Sequence, residues 1–485
     1  MTAGTAWQAY VPQPSWPHAP GPQWYAPAWR RPSDARPAPA WWRDAVGAST
    51  WATVLVTVAL WVGHRGLQDL FGVSSGLTSL GRLTGLLSAD LLLVQVLLMA
   101  RIPTLERSYG QDRLAHWHRL VGFTSFNLLL AHLALTTLGY AVSERANPVK
   151  EFVDLVVDYP GMLMAFVGTL ALVVVTVSSV KRARAKVRYE SWHLIHLYGY
   201  LGVGLAIPHE VWTGTEFTSS TIATAYWWTL YAAAASSVLV WRVGVPLWRS
   251  RRHDLVVEGV VPEAPGVVSV YLRGRDLDLL HAGAGQFFTW RFRSGPGWTR
   301  GHPYSLSAAP RPDRLRITVK DLGDGSRALA WLRPGTKVLF EGPYGRMHPG
   351  VRTRRKVTLM ASGIGISPMR ALLEELEHAP GELTLIYRAH HGGDLPLKGE
   401  IDAIAAQTGA RVFYVLGRRV RRRSTWLPES AAHLTDAAAL RQLVPDIAEH
   451  DVYLCGAAGW MDAARVAALQ AGVPAENVHF ERFSW

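Results

Sequence analysis

The stretch WHRLVGFTSFNLLLAH, Trp117 to His132, decides how this chain is read. It is apolar enough to lie in hydrocarbon, yet it carries a histidine near each end. Ionisable side chains inside a bilayer are costly, so they turn to the bundle interior and serve a purpose there. His118 and His132 are fourteen residues apart, which on an ideal helix is about 21 Å of rise and only roughly 40° of rotation. The two imidazoles therefore share a face, one near each side of a membrane. His116 falls about 160° from His132 and is the weaker candidate.

A second stretch of the same kind is YESWHLIHLYGYLGVGLAIPHE, Tyr189 to Glu210, with His193, His196 and His209. The separation of His196 from His209 corresponds to about 19.5 Å of rise, which matches the first pair in depth. It does not match in phase, since an ideal helix sets these two about 140° apart. Pro208 removes one helical hydrogen bond and bends the end of the segment. Gly199, Gly202 and Gly204 give a flat ligand room to approach. Whether these features restore the phase is not legible from the sequence. Two histidines at one depth on two helices clamp a haem iron from both faces. Two such levels imply two stacked haems, His118 with His196 and His132 with His209. The alternative is a set of hydrogen-bonded bundle histidines.

Working outward, the first half of the 485-residue chain holds six apolar runs, near 50–68, 84–102, 117–139, 160–180, 192–212 and 222–245. Each is close to the roughly 20 residues that cross a bilayer. The connections after the second, fourth and sixth runs are basic, with Arg101, Arg107 and Arg113, then Lys181, Arg182, Arg184, Lys186 and Arg188, then Arg249, Arg251 and Arg252. The opposite loops carry Glu144, Glu151, Asp154, Asp158, Glu210 and Glu216. Positive residues mark the cytoplasmic side, so a multi-pass protein of the cell membrane is expected, with both termini in the cytoplasm. This distribution also accounts for much of the +13 net charge without any nucleic acid. The single cysteine, Cys455, excludes a disulfide framework, a cysteine zinc site and a protein-held iron–sulfur cluster. Residues 1–47 are rich in Pro, Ala and Trp and read as a disordered cytoplasmic tail. They lack the plan of a cleaved signal peptide.

From about residue 253 the pattern changes to short β-rich runs punctuated by Pro and Gly. GHPYSLSAAP (Gly301–Pro310), ITVKDLGDGSRAL (Ile317–Leu329) and FEGPYGRM (Phe340–Met347) suit a small antiparallel barrel over 250–350. KVTLMASGIGISPMRALLEEL (Lys356–Leu376) then runs from an apolar strand into Gly363 and Gly365, with Pro368 opening a helix. Such a turn lets a backbone approach a pyrophosphate at a helix N-terminus. It is not the full dinucleotide fingerprint. The later strands LTLIYRA (Leu383–Ala389) and DVYLCGAAGWMDA (Asp451–Ala463) complete an α/β domain over 351–485. The expected fold is thus multidomain: a six-helix transmembrane bundle (48–249), an antiparallel β-barrel domain and an α/β nucleotide-binding domain.

HPYSLSAAP resembles the flavin-binding strand of the ferredoxin–NADP reductase family, and SGIGISP and YLCGAAGWMDA resemble its nicotinamide segments. The family's usual CGP is Cys455-Gly456-Ala457 here. Joined to a bundle with paired histidines, residues 48–485 resemble the ferric reductase / NADPH oxidase superfamily. The resemblance implies that His302, Pro303, Tyr304 and Ser305 lie along FAD. It places Lys320 at the FAD pyrophosphate and Ser326 at phosphate. Gly363 and Gly365, with Pro368 behind them, would cradle the nicotinamide cofactor. Arg388 would favour the 2′-phosphate of NADPH over NADH, as a guanidinium suits phosphate; Arg418 and Arg419 are better read as a solvated run. Cys455 would lie beside the nicotinamide ring, and Trp485 would cover the flavin.

The activity so implied takes electrons from cytoplasmic NADPH through FAD and two b-type haems to ferric iron or oxygen outside. Flavin is needed because a hydride carries two electrons and a haem accepts one. In relatives an aromatic residue stands between the haems; the matching position here is Gly202, with Tyr198, Tyr200, Phe123 or Phe126 as replacements. Arg82 is where oxidases of the family carry an arginine, but Thr136 stands where they often have a second histidine. The alternatives are a superoxide-generating NADPH oxidase, an electron donor to a partner protein, and a haem-based sensor or transporter with an inactive reductase domain.

Overall fold

The computed structural model describes residues 8–9, 41–180, 189–420 and 423–482. The basic connection 181–188, most of the 1–47 tail and Trp485 lie outside the described residues. The chain divides into two compact units that meet in sequence at Val243 and Gly244, and each is described by itself.

The first unit is helical: α1 (Trp41–Gly63), α2 (Val73–Met99), α3 (Gln111–Glu144), α4 (Met162–Ser179), α5 (Tyr189–Thr213) and α6 (Thr221–Ser237). Short helices at Pro103–Tyr109 and Pro148–Asp158 open on proline, where the missing N–H costs no hydrogen bond. The Asn147 and Ser220 side chains accept N–H groups from Val149 and Ala223 and so cap helix starts. Helix α6 passes through a π-helical turn, Val238–Gly244, into a further helix, Val245–His253.

The polarity of this unit is inverted. Trp51, Leu55, Leu163, Leu194 and Leu239 are exposed, while Thr57, Ser79, Ser88, Asp90 and Ser125 are buried. That pattern suits hydrocarbon as the solvent. Among the described residues, five helices are long and apolar enough to cross a membrane: α1, α2, α3, α4 and the continuous Thr221–His253 segment. The expected sixth span forms helix α5 but falls short of the same apolarity, because histidine, tyrosine and glycine dilute it.

Small residues let the helices approach. A Cβ on Gly81 would lie 2.5 Å from Thr136 Oγ1, and one on Gly139 would lie 2.4 Å from Thr78 Oγ1, so α2 and α3 pack nearly backbone to backbone. Gly168 and Gly202 do the same for α4 and α5, each Cβ meeting the other's carbonyl oxygen at 2.7 and 2.9 Å.

The second unit holds two arrangements of strands. Strands β1 (Val256–Ala264), β2 (Val267–Arg273) and β5 (Arg314–Lys320) form one antiparallel sheet in the order β1-β2-β5. Strands β3 (Phe287–Phe292), β4 (His302–Ser305) and β6 (Val338–Tyr344) form another in the order β4-β3-β6. The barrel expected from the sequence is therefore corrected to two three-stranded sheets. Isolated bridges link them, Val256 with Lys337 and Leu306 with Ile317. Strand β4 is a short edge carrying Pro303, which has no N–H to extend a ladder. Phe288, Trp290, Phe340, Leu272 and Ile317 fill the space between the sheets.

The α/β part is a parallel sheet of β7 (Lys356–Ser362), β8 (Leu383–Ala389), β9 (Arg411–Leu416), β10 (His450–Cys455) and β11 (Val478–Phe480). Its order is β9-β8-β7-β10-β11, with Gln8–Ala9 antiparallel at the β9 edge. Helices α7 (Ile366–Glu375), α8 (Lys398–Thr408) and α9 (Ala458–Gln470) cover it. The strand order reverses between β7 and β10. In open α/β sheets ligands bind in the crevice at that switch point.

Candidate functional site

In the helical unit, the structure brings the four sequence-selected histidines together in two pairs. The His118 and His196 ring centres are 5.8 Å apart, and those of His132 and His209 are 6.3 Å apart. Metal–imidazole bonds are about 2 Å long, so two imidazoles opposed across one ion have centres roughly 6 Å apart. His116 and His193 are exposed and belong to neither pair.

The other ring nitrogen of each histidine is already engaged. His118 Nδ1 lies 3.1 Å from the Gln95 carbonyl oxygen, and His132 Nδ1 lies 2.8 Å from that of Gly81. A carbonyl only accepts, so Nδ1 carries the proton in both rings. Thr213 Oγ1 lies 2.7 Å from His209 Nδ1 and donates its own hydrogen to the His209 carbonyl. Ser179 Oγ lies 3.4 Å from His196 Nδ1, donates to the Val175 carbonyl and accepts from Trp192 Nε1. All four rings thus keep Nε2 as an unprotonated donor. A metal-bound histidine typically has its second nitrogen fixed in this way.

The donor set suits one kind of occupant. Among the described residues no cluster of three or more His, Cys, Asp or Glu side chains is placed to hold a metal ion alone. A metal held by two imidazoles takes its other ligands from a bound group, as a porphyrin supplies. Gly199 and Gly204 face open space, whereas Gly202 is committed to the α4 contact. An aromatic side chain at position 202 would collide with Gly168, which accounts for its absence. Pro208 lies inside α5 just before His209. Gly161, at φ +80°, packs on the same turn, and a Cβ there would sit 2.7 Å from the His209 backbone nitrogen. Arg82 is answered by two carboxylates, Asp69 at 2.9 Å and Glu216 at 3.4 Å. Thr136 Oγ1 stands 3.4 Å from His132 Nδ1.

In the other unit, His302, Pro303, Tyr304 and Ser305 follow one another on edge strand β4. The His302 and Tyr304 rings stack at 6.2 Å, and burial pushes the Tyr304 hydroxyl up to about 12. The Tyr304 carbonyl accepts Trp290 Nε1 at 3.0 Å, which ties the strand to the core. A Cβ on Gly325 would lie 2.5 Å from the His302 ring, so the Asp324–Arg327 turn presses against it. Lys320 is exposed at the end of β5. Ser326 Oγ accepts from the Leu322 nitrogen at 2.8 Å and donates to the Gly323 carbonyl at 2.9 Å, so it already serves its own turn.

Gly363, at φ +56°, opens onto free space after β7. A Cβ on Gly365 would sit 2.2 Å from the Cys455 carbonyl oxygen, so the turn after β7 and the end of β10 meet backbone to backbone. Pro368 is buried in α7. Cys455 is buried, and burial with the nearby Glu481 carboxylate pushes its thiol up to about 12.

Arg388 is not presented to solvent. It donates to the carbonyls of Ala389, Val415 and Gly417, the last at 2.7 Å, and burial lowers its guanidinium to about 10. Three of its N–H groups are thus committed to backbone carbonyls, so a contact from Arg388 to a 2′-phosphate would have to use the remaining two from a buried position.

Sequence reasoning missed the groups that hold these side chains. Thr213, four residues after His209, is legible as a helical neighbour. The Gly81 and Gln95 carbonyls carry no side-chain signal. Also missed was the buried junction between the sheets and α/β part: Arg316 on β5 pairs bidentately with Glu400 on α8 at 2.7 and 2.9 Å, and Arg370 Nε joins at 2.8 Å. Bidentate geometry fixes orientation as well as distance. Ser367 Oγ, donating to the Thr318 carbonyl at 2.9 Å, lies at the same junction.

Residues 84–207 match the family described as ferric reductase like transmembrane component, and residues 359–466 match the oxidoreductase NAD-binding domain. Over 241 residues the chain is 32% identical to the ferredoxin reductase component of 3-ketosteroid-9-alpha-monooxygenase from Mycolicibacterium smegmatis, covering 47% of this chain and 65% of that one. It is 27% identical over 241 residues to a flavohemoprotein from Xylella fastidiosa, covering 47% of this chain and 58% of the other. The chain spans between 54% and 65% of the length of the curated relatives it matches. Among solved structures, the FAD/NAD-binding domain of a Vibrio cholerae nitric oxide dioxygenase matches 48% of this chain and 99% of that one, at 24% identity and a TM-score of 0.38. By the two family matches the chain joins a ferric reductase-like transmembrane segment to an oxidoreductase NAD-binding domain.

Proposed function

We propose that this chain is a transmembrane flavocytochrome b. It carries electrons from cytoplasmic NADPH, or NADH, through FAD and two b-type haems to ferric iron or oxygen on the far side of the membrane. One observation carries the reading: four intramembrane imidazoles stand in two opposed pairs, each with Nδ1 engaged and Nε2 free. When bound, flavin accepts a hydride and releases electrons singly, and haem takes them one at a time.

The chain's own groups define the rest. His118 and His196 form the cytoplasmic level and His132 and His209 the outer one. The Gly81 and Gln95 carbonyls, Thr213 and Ser179 orient the rings and set their tautomer. His302 to Ser305 supply an aromatic and hydroxyl edge for a flavin. Gly363 and Gly365 open the crevice for a dinucleotide, and the protonated Cys455 thiol gives that crevice a small uncharged wall. The basic connections put both termini in the cytoplasm.

The test is anaerobic reduction of the purified protein with NADPH, followed by oxygen or a ferric chelate, with the haem α-band monitored. Reoxidation by oxygen with superoxide released identifies an oxidase. Reoxidation mainly by ferric chelate identifies a metalloreductase. A second reading, delivery of electrons to a partner protein, is favoured by the likeness to reductase components of larger systems. Slow reoxidation by both small acceptors would select it. Absence of any haem band contradicts the whole reading.

A further inference from the structure

We propose that Asp90 is a proton-binding site inside the helical bundle, held as the neutral acid. Asp90 sits near the middle of α2 and is 0% exposed. Its Oδ2 accepts one hydrogen bond, from Thr53 Oγ1 on α1 at 3.2 Å, and that hydroxyl also reaches the Thr50 carbonyl at 2.9 Å. Its Oδ1 is buried with no hydrogen-bond partner. The facing side chains are hydroxyls. Tyr226 Oη on α6 borders Asp90, donates to the Thr53 carbonyl at 3.0 Å and lies 3.4 Å from Thr57 Oγ1. Among the described residues no ion pair includes Asp90, and Tyr226 is the other titratable group at the site.

An ionised carboxylate in such a place has neither a cation nor enough donors. Its desolvation costs several kcal/mol, and only neutral hydroxyls, those of Thr53 and Tyr226, stand against that cost. A proton removes the charge and turns one oxygen into a donor among acceptors. Where a buried carboxylate finds no partner, neutralisation is the cheaper state.

The position gives the proton a role, which rests on the electron-transfer reading. On α2, Gly85 lies against His132 and the Gln95 carbonyl meets His118. Asp90 is midway between them, about 7.5 Å of rise from each, and on the opposite side of the helix. A fixed anion there would oppose electrons entering either histidine level. The proton removes that opposition at both levels.

The experiment compares infrared spectra of the full-length protein with D90N and D90S, in water and in deuterium oxide, at neutral pH. The wild type is expected to show a protonated-carboxyl band that shifts in deuterium oxide and is lost in both variants. In the haem-loaded protein, D90N exchanges one neutral group for another and leaves the haem midpoint potential unchanged. A wild-type carboxyl region identical to that of the variants overturns the proposal. So does a D90N potential well above that of the wild type, or a sodium-dependent rise in melting temperature that D90N lacks. A haem-free preparation would end the electron-transfer reading through its visible spectrum, while the infrared band would still decide the proton.

Discussion

The two units of this chain solve opposite problems. The helical unit exposes many of its leucines and tryptophans, buries hydroxyls and carboxyl groups, and half-buries its four paired histidines. The sheet-based unit buries Phe288, Trp290 and Phe340, and the charges it buries, such as Arg316 with Glu400, Arg388 and Asp451, are held by ion pairs or hydrogen bonds. The chemistry of the first therefore lies in side chains that are conspicuous in their surroundings. That of the second lies largely in backbone, at places where two loops come too close for a side chain. Substitutions in the two units should fail in different ways.

The largest effect is expected at the histidines. His118→Ala or His196→Ala should abolish haem reduction by NADPH while flavin reduction continues, as followed by stopped-flow absorbance under anaerobic conditions. Loss of flavin reduction in the same folded variant would break the separation between the units.

A backbone substitution should give the converse. Gly365→Ala places a Cβ where the Cys455 carbonyl now stands, so the turn must shift. Displacements on the scale of 1 Å cost about 100-fold in rate. Flavin reduction by NADPH should slow by about that factor at unchanged haem content.

Arg388 sharpens the comparison further. Arg388→Leu leaves buried carbonyls without donors, which costs about 1–3 kcal/mol and should lower the melting temperature. If Arg388 served only to read a 2′-phosphate, the variant would keep its stability and lose preference for NADPH over NADH.

The smallest effect concerns Cys455. With its thiol pushed up to about 12, it stays protonated and buried across the working pH range. Alkylating reagents at pH 8 should label it only after unfolding, as read by mass spectrometry; rapid labelling of the folded protein would contradict the buried placement.

The same contrast explains what was legible in the sequence. His118, His132, His196 and His209 were legible, with their pairing, because imidazoles stand out in apolar helices and depth follows from residue count. Their relative phase was not legible. Pro208 lies inside α5, and Gly161 packs backbone to backbone on the turn that carries His209, a contact that no residue spacing encodes. The role of Gly202 was misread for the same reason, since helix packing against Gly168 leaves no periodic mark. The turn at Gly363 and Gly365 was legible from its glycines. The closed barrel was not, because short edge strands such as β4 do not announce whether the next ladder continues. Arg388 reads as a ligand contact in a string of letters; only the fold shows that three carbonyls claim it.

The most direct test of the central claim is the haem content of the protein purified from membranes, by pyridine haemochrome assay, alongside the His118→Ala and His132→Ala variants. Two b-type haems per chain are expected, with one lost in each variant. A wild-type protein that carries no haem, or variants that keep the full complement, would contradict the account.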